Sequence, residues 1–85
     1  MALVILDRDG VINIDSPDYI RSAAEWRPIP GSLDAIARLT HAGHRVAVAT
    51  NQAGVGRGIF TIEALNAIHE VMLMEIFARG GAIAG

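Results

Sequence analysis

Apolar runs and one-sided apolar spacings alternate along this chain in an order that predicts strand, irregular segment, helix, strand, glycine-rich loop and helix. The opening run Ala2-Leu3-Val4-Ile5-Leu6 is continuous rather than alternating, and reads as a strand over Leu3 to Leu6 buried in a parallel sheet. Residues 11–30 show no period, contain all three prolines and have Tyr19 and Trp26 as aromatic anchors. Such a segment is too long to be a simple connection. Pro30-Gly31 then punctuates the chain, and Ser32 reads as the N-cap of a helix whose apolar side is Leu33, Ile36, Ala37 and Leu39 or Thr40. Gly43 is placed to end it.

Arg45-Val46-Ala47-Val48-Ala49-Thr50 reads as a second buried strand, so the first 50 residues predict one crossover joining a parallel pair. Residues 51–60 hold three glycines, and Thr61 is set to cap a second helix running to about Arg79. Glu75 and Arg79 stand in the favourable order for an i,i+4 ion pair. The second half of that helix is apolar on more than one side, which predicts cover on more than one face, and Met72 and Met74 are expected in the core. Gly80-Gly81 stops it. Ala82-Ile83-Ala84 then reads as the opening of another strand.

Size and composition narrow this picture. A single domain of 85 residues buries only about 60–65% of the surface its unfolded chain exposes, yet 52% of these residues are hydrophobic. That excess points to a partner surface or to a further portion of the protein. All seven basic residues are arginines, scattered along a chain of net charge −2, so no basic stripe marks a nucleic-acid footprint. There is no cysteine, hence no disulfide or thiolate metal site within these residues. No signal peptide and no membrane-spanning run is indicated, and a cytoplasmic location is expected.

The candidate chemistry sits at strand ends. Asp7-Arg8-Asp9-Gly10 follows the first strand, where open α/β sheets bind their ligands. If the chain stays extended, two carboxylates at i and i+2 point the same way and can share a hard cation such as Mg²⁺. With the ion offsetting their repulsion, Asp7 can serve as an ionised nucleophile. The neighbouring negative charge would push Asp9 toward a proton donor's role. Gly10 lets the backbone approach a phosphate. On its own the tetrapeptide is equally compatible with a plain turn. Thr50-Asn51, at the end of the second strand, would reach the same sheet edge and could donate hydrogen bonds to phosphate oxygens. Gly54-Val55-Gly56-Arg57-Gly58 has its third glycine one position early for a dinucleotide fingerprint, and His41, His44 and His69 lack metal-ligand spacing and read as helix-surface or loop residues.

These residues resemble the haloacid dehalogenase-like phosphatases, whose first motif is an apolar strand followed by Asp-x-Asp-Gly and whose second is a strand ending in Thr or Ser. The strings Leu6-Asp7-Arg8-Asp9-Gly10-Val11-Ile12-Asn13 and Thr50-Asn51-Gln52-Ala53-Gly54-Val55-Gly56-Arg57-Gly58 look like the branch that dephosphorylates heptose bisphosphates or histidinol phosphate. The implied fold is an α/β, Rossmann-like parallel sheet, with residues 1–85 expected to be the N-terminal portion of one such domain. The resemblance implies that Asp7 is the nucleophile and a Mg²⁺ ligand. It makes Asp9 the acid and base and the source of a carbonyl for the metal, and Thr50 the stabiliser of the transferring phosphoryl group. Arg8, Asp15, Ser16, Pro17, Asp18, Asn51, Gln52, Ala53 and Arg57 would line the substrate, a small phosphorylated metabolite. Ala53 stands where Ser is common in relatives, which removes a hydroxyl contact.

The family also uses a later lysine that clamps the phosphoryl group, a later acidic pair on the metal and, in the heptose branch, a zinc loop. This chain has no lysine and no cysteine, so Zn²⁺ is expected only in a longer form, itself a monomer, and the 85 residues alone are expected to be inactive. The leading expectation is Mg²⁺-dependent removal of the 7-phosphate of a heptose 1,7-bisphosphate through an aspartyl-phosphate, with histidinol phosphate as the alternative substrate. The competing class is an inactive truncated module that binds phosphate or a partner.

Overall fold

The computed structural model describes residues 2–15, 20–49, 58 and 61–84. Strand β1 is Leu3–Asp7, a single 3₁₀ turn is Ala23–Glu25, helix α1 is Ser32–His41, strand β2 is Arg45–Ala49 and helix α2 is Ile62–Ala78. The two strands pair in parallel with Leu3 opposite Arg45 and Asp7 opposite Ala49, and α1 makes the crossover that a parallel pair requires. Both strands therefore end at the same edge.

Helix α1 lies against the sheet through Leu33 and Ile36, with Leu39 packed beside them, which is the predicted apolar side. Its start differs from expectation. Gly31 holds the N-cap position, and Ser32 is the first helical residue because its hydroxyl is spent elsewhere, donating to the Ile12 carbonyl at 2.7 Å. Gly43 does end the helix, its N–H donating to the Thr40 carbonyl while that of His44 donates to Leu39.

Helix α2 begins as expected, with the Thr61 hydroxyl accepting from the Ala64 N–H. Its Ile68, Met72 and Ile76 sit at helical spacing and are buried in one core with Ile12, Ile20, Trp26, Leu33, Ile36 and Val46. It ends in a Schellman motif: the Gly80 N–H donates to Phe77 and that of Gly81 to Ile76. Gly81 is also where the chain passes closest to the core, since a Cβ there would stand 2.9 Å from Ile76 Cγ2 and 3.1 Å from Ile36 Cγ2.

After Gly81 the chain turns back to the sheet. The Ala82 N–H donates to the Thr40 hydroxyl, which itself donates to the Ile36 carbonyl, and the Ala84 N–H donates to the Val46 carbonyl at 2.7 Å. No strand is assigned over residues 82–84, but the bond to Val46 is the kind a third strand beside β2 would make.

Two expectations about cover and one about an ion pair are corrected. Strand β1 is buried on one side only: Val4 and Leu6 turn inward, whereas Leu3 and Ile5 remain exposed because only one face of the described sheet has helices on it. On α2, Met74 lies on the side opposite Met72 and is exposed together with Leu73 and Phe77. Arg79 pairs with Asp34 of α1 at 3.2 Å rather than with Glu75, joining the two helices by an exposed ion pair worth little.

Candidate functional site

Asp7 is the last residue of β1, exposed, and level with Ala49, the last of β2. The extended conformation stops there. The Arg8 carbonyl accepts from the N–H groups of Val11, Ile12 and Asn13 at 3.2, 2.8 and 3.1 Å, and the Gly10 N–H returns to the Asn13 carbonyl at 2.8 Å. Gly10 makes this closure at φ +83°, a conformation that is strained for a residue with a side chain. A short antiparallel contact then holds the turn from outside, with Ile14 donating to Arg27 and Ile29 to Ile12. Ser32 adds the bond to Ile12 noted above, so α1 anchors the turn.

Within the turn the side chains sort by burial. Asp7 Oδ1 accepts from the N–H of Arg8 at 2.8 Å. Arg8 itself points inward and is 1% exposed. Its guanidinium forks onto Asp9, Nε to Oδ1 at 2.9 Å and Nη2 to Oδ2 at 3.1 Å. Asn13, also wholly buried, donates from Nδ2 to Asp9 Oδ1 at 3.0 Å and to the Ile14 carbonyl at 3.1 Å. The buried guanidinium is paired through Nε and Nη2, while its Nη1 and the Asn13 Oδ1 are buried without a partner among the described residues.

Two sequence expectations change here. The chain does not stay extended through Asp9, and the nearest charge to its carboxylate is the Arg8 guanidinium rather than Asp7. Arg8, expected to line the substrate, keeps its side chain in the interior; the bend that follows β1 turns it under Asp9.

Helix α2 passes behind the turn. His69 lies on the same helical side as Leu65, Ile68 and Met72, and its Nε2 is buried with no partner among the described residues. Burial first, and the positive charge of Arg8 second, hold its imidazole below the ordinary value near 6.5, with Asp9 pulling weakly the other way. A neutral histidine thus backs the Arg8–Asp9 pair. Ligand spacing could not reveal it; its place on the buried stripe of α2 could.

Asp15 is brought to the turn: its Cβ would lie 4.0 Å from a Cβ at Gly10. Ser16, Pro17, Asp18, Thr50, Asn51, Gln52, Ala53 and Arg57 fall outside the described residues. Asp7, Asp9 and their carbonyls are oxygen donors of the kind a hard divalent cation takes, which fits magnesium. Among the described residues no group of three acidic, histidine or cysteine side chains converges. Nor is any described helix long and apolar enough to cross a membrane.

Comparison with known proteins gives this geometry its context. No protein-family profile matches the chain. It is 53% identical over all 85 residues to a D-glycero-beta-D-manno-heptose-1,7-bisphosphate 7-phosphatase of Neisseria meningitidis, and spans 46% of that protein. Over 82 residues it is 55% identical to the Pseudomonas aeruginosa protein of the same name, again spanning 46% of it. Among solved structures, the D,D-heptose 1,7-bisphosphate phosphatase of Bordetella bronchiseptica, complexed with magnesium and phosphate, superposes with a TM-score of 0.95 at 52% identity, over 98% of this chain and 46% of that one. A HAD-like phosphatase structure from Mesorhizobium loti gives 0.84 at 39% identity, over 96% and 38%. The chain thus spans about half the length of the relatives it matches. Its resemblance to haloacid dehalogenase-like phosphatases, and the α/β fold that this implied, are borne out over that span.

Proposed function

We propose that this chain is the nucleophile-bearing portion of a phosphomonoesterase that takes the 7-phosphate from D-glycero-D-manno-heptose 1,7-bisphosphate. One observation carries the reading. An exposed carboxylate, Asp7, ends a parallel strand with a second, fixed carboxylate two residues on, in a chain about half of whose residues are shared with relatives of that name.

In the proposed cycle an Asp7 carboxylate oxygen attacks phosphorus as the bond from phosphorus to the sugar oxygen breaks. The proton for the departing oxygen comes from Asp9. Water then attacks the phosphorus of the aspartyl-phosphate and gives its proton to Asp9. Inorganic phosphate leaves, Asp7 is restored, and the sum is hydrolysis of one ester by one water. Asp7 and the Asp9 carbonyl would hold magnesium, which supplies charge neutralisation on the phosphoryl oxygens when bound. Thr50 is assigned to the same oxygens, while Asp15 to Asp18, Asn51 to Ala53 and Arg57 are assigned to the sugar phosphate. The enzyme is taken to be a cytoplasmic monomer. Histidinol phosphate is the less favoured substrate, since the relatives compared above are named for the heptose.

The test joins this chain to the part of the Bordetella bronchiseptica relative that it does not span and measures phosphate release with Mg²⁺. The joined protein is expected to hydrolyse the heptose bisphosphate in preference to histidinol phosphate. Asp7→Asn is expected to lower turnover by about 10³-fold or more while leaving the unfolding midpoint unchanged. Retained turnover would remove Asp7 from the nucleophile's role, and preference for histidinol phosphate would overturn the substrate.

A further inference from the structure

Arg8 is a costly residue to place where it is. It stands between the two carboxylates, is 1% exposed, and occupies a site that an aliphatic side chain would fill without burying a charge. Both of its polar ends are committed to a neighbour's carboxylate: the main-chain N–H to Asp7 Oδ1 at 2.8 Å, and the guanidinium, through two bonds, to both oxygens of Asp9. Its own backbone is fixed in turn, because its carbonyl accepts three N–H groups. Asn13 adds a third donor to Asp9 from the other side and is itself tied to the Ile14 carbonyl.

We propose that Arg8 is a positioning residue for the reaction, its guanidinium fork fixing the torsion of the Asp9 carboxylate so that the oxygen which exchanges a proton faces the ester rather than rotating freely. This rests on the phosphatase reading above and gives it a part that substrate contact by Arg8 would not. A fork has suitable geometry, because two parallel bonds fix a planar carboxylate in orientation, whereas an ammonium group holds it only by position. Asp7 needs no such clamp, since nucleophilic attack asks for an exposed oxygen, and one backbone bond leaves it exposed.

The consequence is selective. Asp9 matters most when the departing oxygen is a poor leaving group that must be protonated, as in an alkyl phosphate, and little when it leaves as a stabilised phenolate. Arg8→Met in the joined protein is therefore expected to lower the single-turnover rate of phosphoryl transfer to Asp7, the step before water is activated alike for both substrates, by about 10–100-fold for the heptose bisphosphate and by less than about 3-fold for p-nitrophenyl phosphate. KM should stay within about 2-fold on both. Arg8→Lys, which keeps the charge and stem but cannot fork, is expected to lie between wild type and Arg8→Met, and serves if the methionine variant does not fold. In an Asp9→Asn background neither change should cost anything further on the heptose bisphosphate, because the group through which Arg8 acts is gone. Equal losses on both substrates, a loss confined to KM, or full additivity with Asp9→Asn would each overturn the positioning role while leaving the phosphatase reading standing. Failure of the unsubstituted protein to release phosphate from either compound would instead overturn that reading, and this inference with it. A further readout needs no turnover: in the 85-residue chain the Arg8 Nε–H should exchange with solvent far more slowly than that of Arg45, and Asp9→Ala should abolish the protection. Exchange at equal rates would contradict the fork.

Discussion

The turn at Asp7–Asn13 and the second half of α2 are opposites. In the turn side chain and backbone are cross-linked, with Arg8 Nη1 and Asn13 Oδ1 left without a partner among the described residues, and a full charge is buried against the Asp9 carboxylate. In α2 beyond Ile68 the described residues form no such polar scaffold. Ile76 is 1% exposed, while its neighbour Phe77 is 78% exposed and joins Leu73, Met74, Gly81 and Ile83 along an open apolar groove of about 410 Å³. Among the described residues the end of one strand is therefore the part most densely tied by side-chain hydrogen bonds. Its apolar excess is distributed over surfaces that the described residues leave open.

Adjacent positions on α2 offer the largest test of that contrast in stability. Ile76→Ala is expected to destabilise the chain by about 3 kcal/mol, since it empties the point where α2, α1 and Gly81 meet. Denaturant titration would measure it. A loss below about 1 kcal/mol would mean that the core is looser than described. Gly81→Ala should cost about 1–3 kcal/mol by the same measurement, because the new methyl must displace Ile76 or Ile36.

A smaller effect probes the polar region. Because the folded state holds the His69 imidazole below its ordinary value, the unfolded chain takes up the proton first as pH falls. His69 should thus contribute full stability above about pH 6.5 and progressively less as pH drops toward its folded value. Urea midpoints of the wild type and His69→Gln should converge between pH 8 and pH 5. Midpoints whose separation is constant with pH would mean that His69 is neither buried nor close to the Arg8 charge in the folded chain. The smallest effect is expected from Phe77→Ser, within about 0.5 kcal/mol of wild type in stability but with weaker binding of a hydrophobic dye. A large destabilisation would show that the groove is already covered.

Much of this organisation is legible in the sequence because it is carried by period and punctuation. The runs at Leu3 and Arg45, the spacing Leu33-Ile36 and the stops at Gly43 and Gly80 each act locally, and each stands where the pattern places it. What pattern could not give depends on partners distant in sequence. Ser32 looks like a cap until Ile12 claims its hydroxyl, and Arg79 finds Asp34 on another helix before Glu75 on its own. Met72 and Met74 share a composition but not a face, which a count of apolar residues does not distinguish. At the site, Asp7 and Asp9 were readable as a pair. The inward turn of Arg8 was not, because it needs the bend after β1 and the burial supplied by α2.

The phosphatase reading stands or falls on Asp7 as the carrier of the phosphoryl group. The joined protein, quenched during turnover of the heptose bisphosphate and treated with hydroxylamine, should yield a hydroxamate that mass spectrometry of its peptides places on Asp7, and none in Asp7→Asn. Continuing phosphate release with no hydroxamate, or a hydroxamate on any other residue, would contradict it.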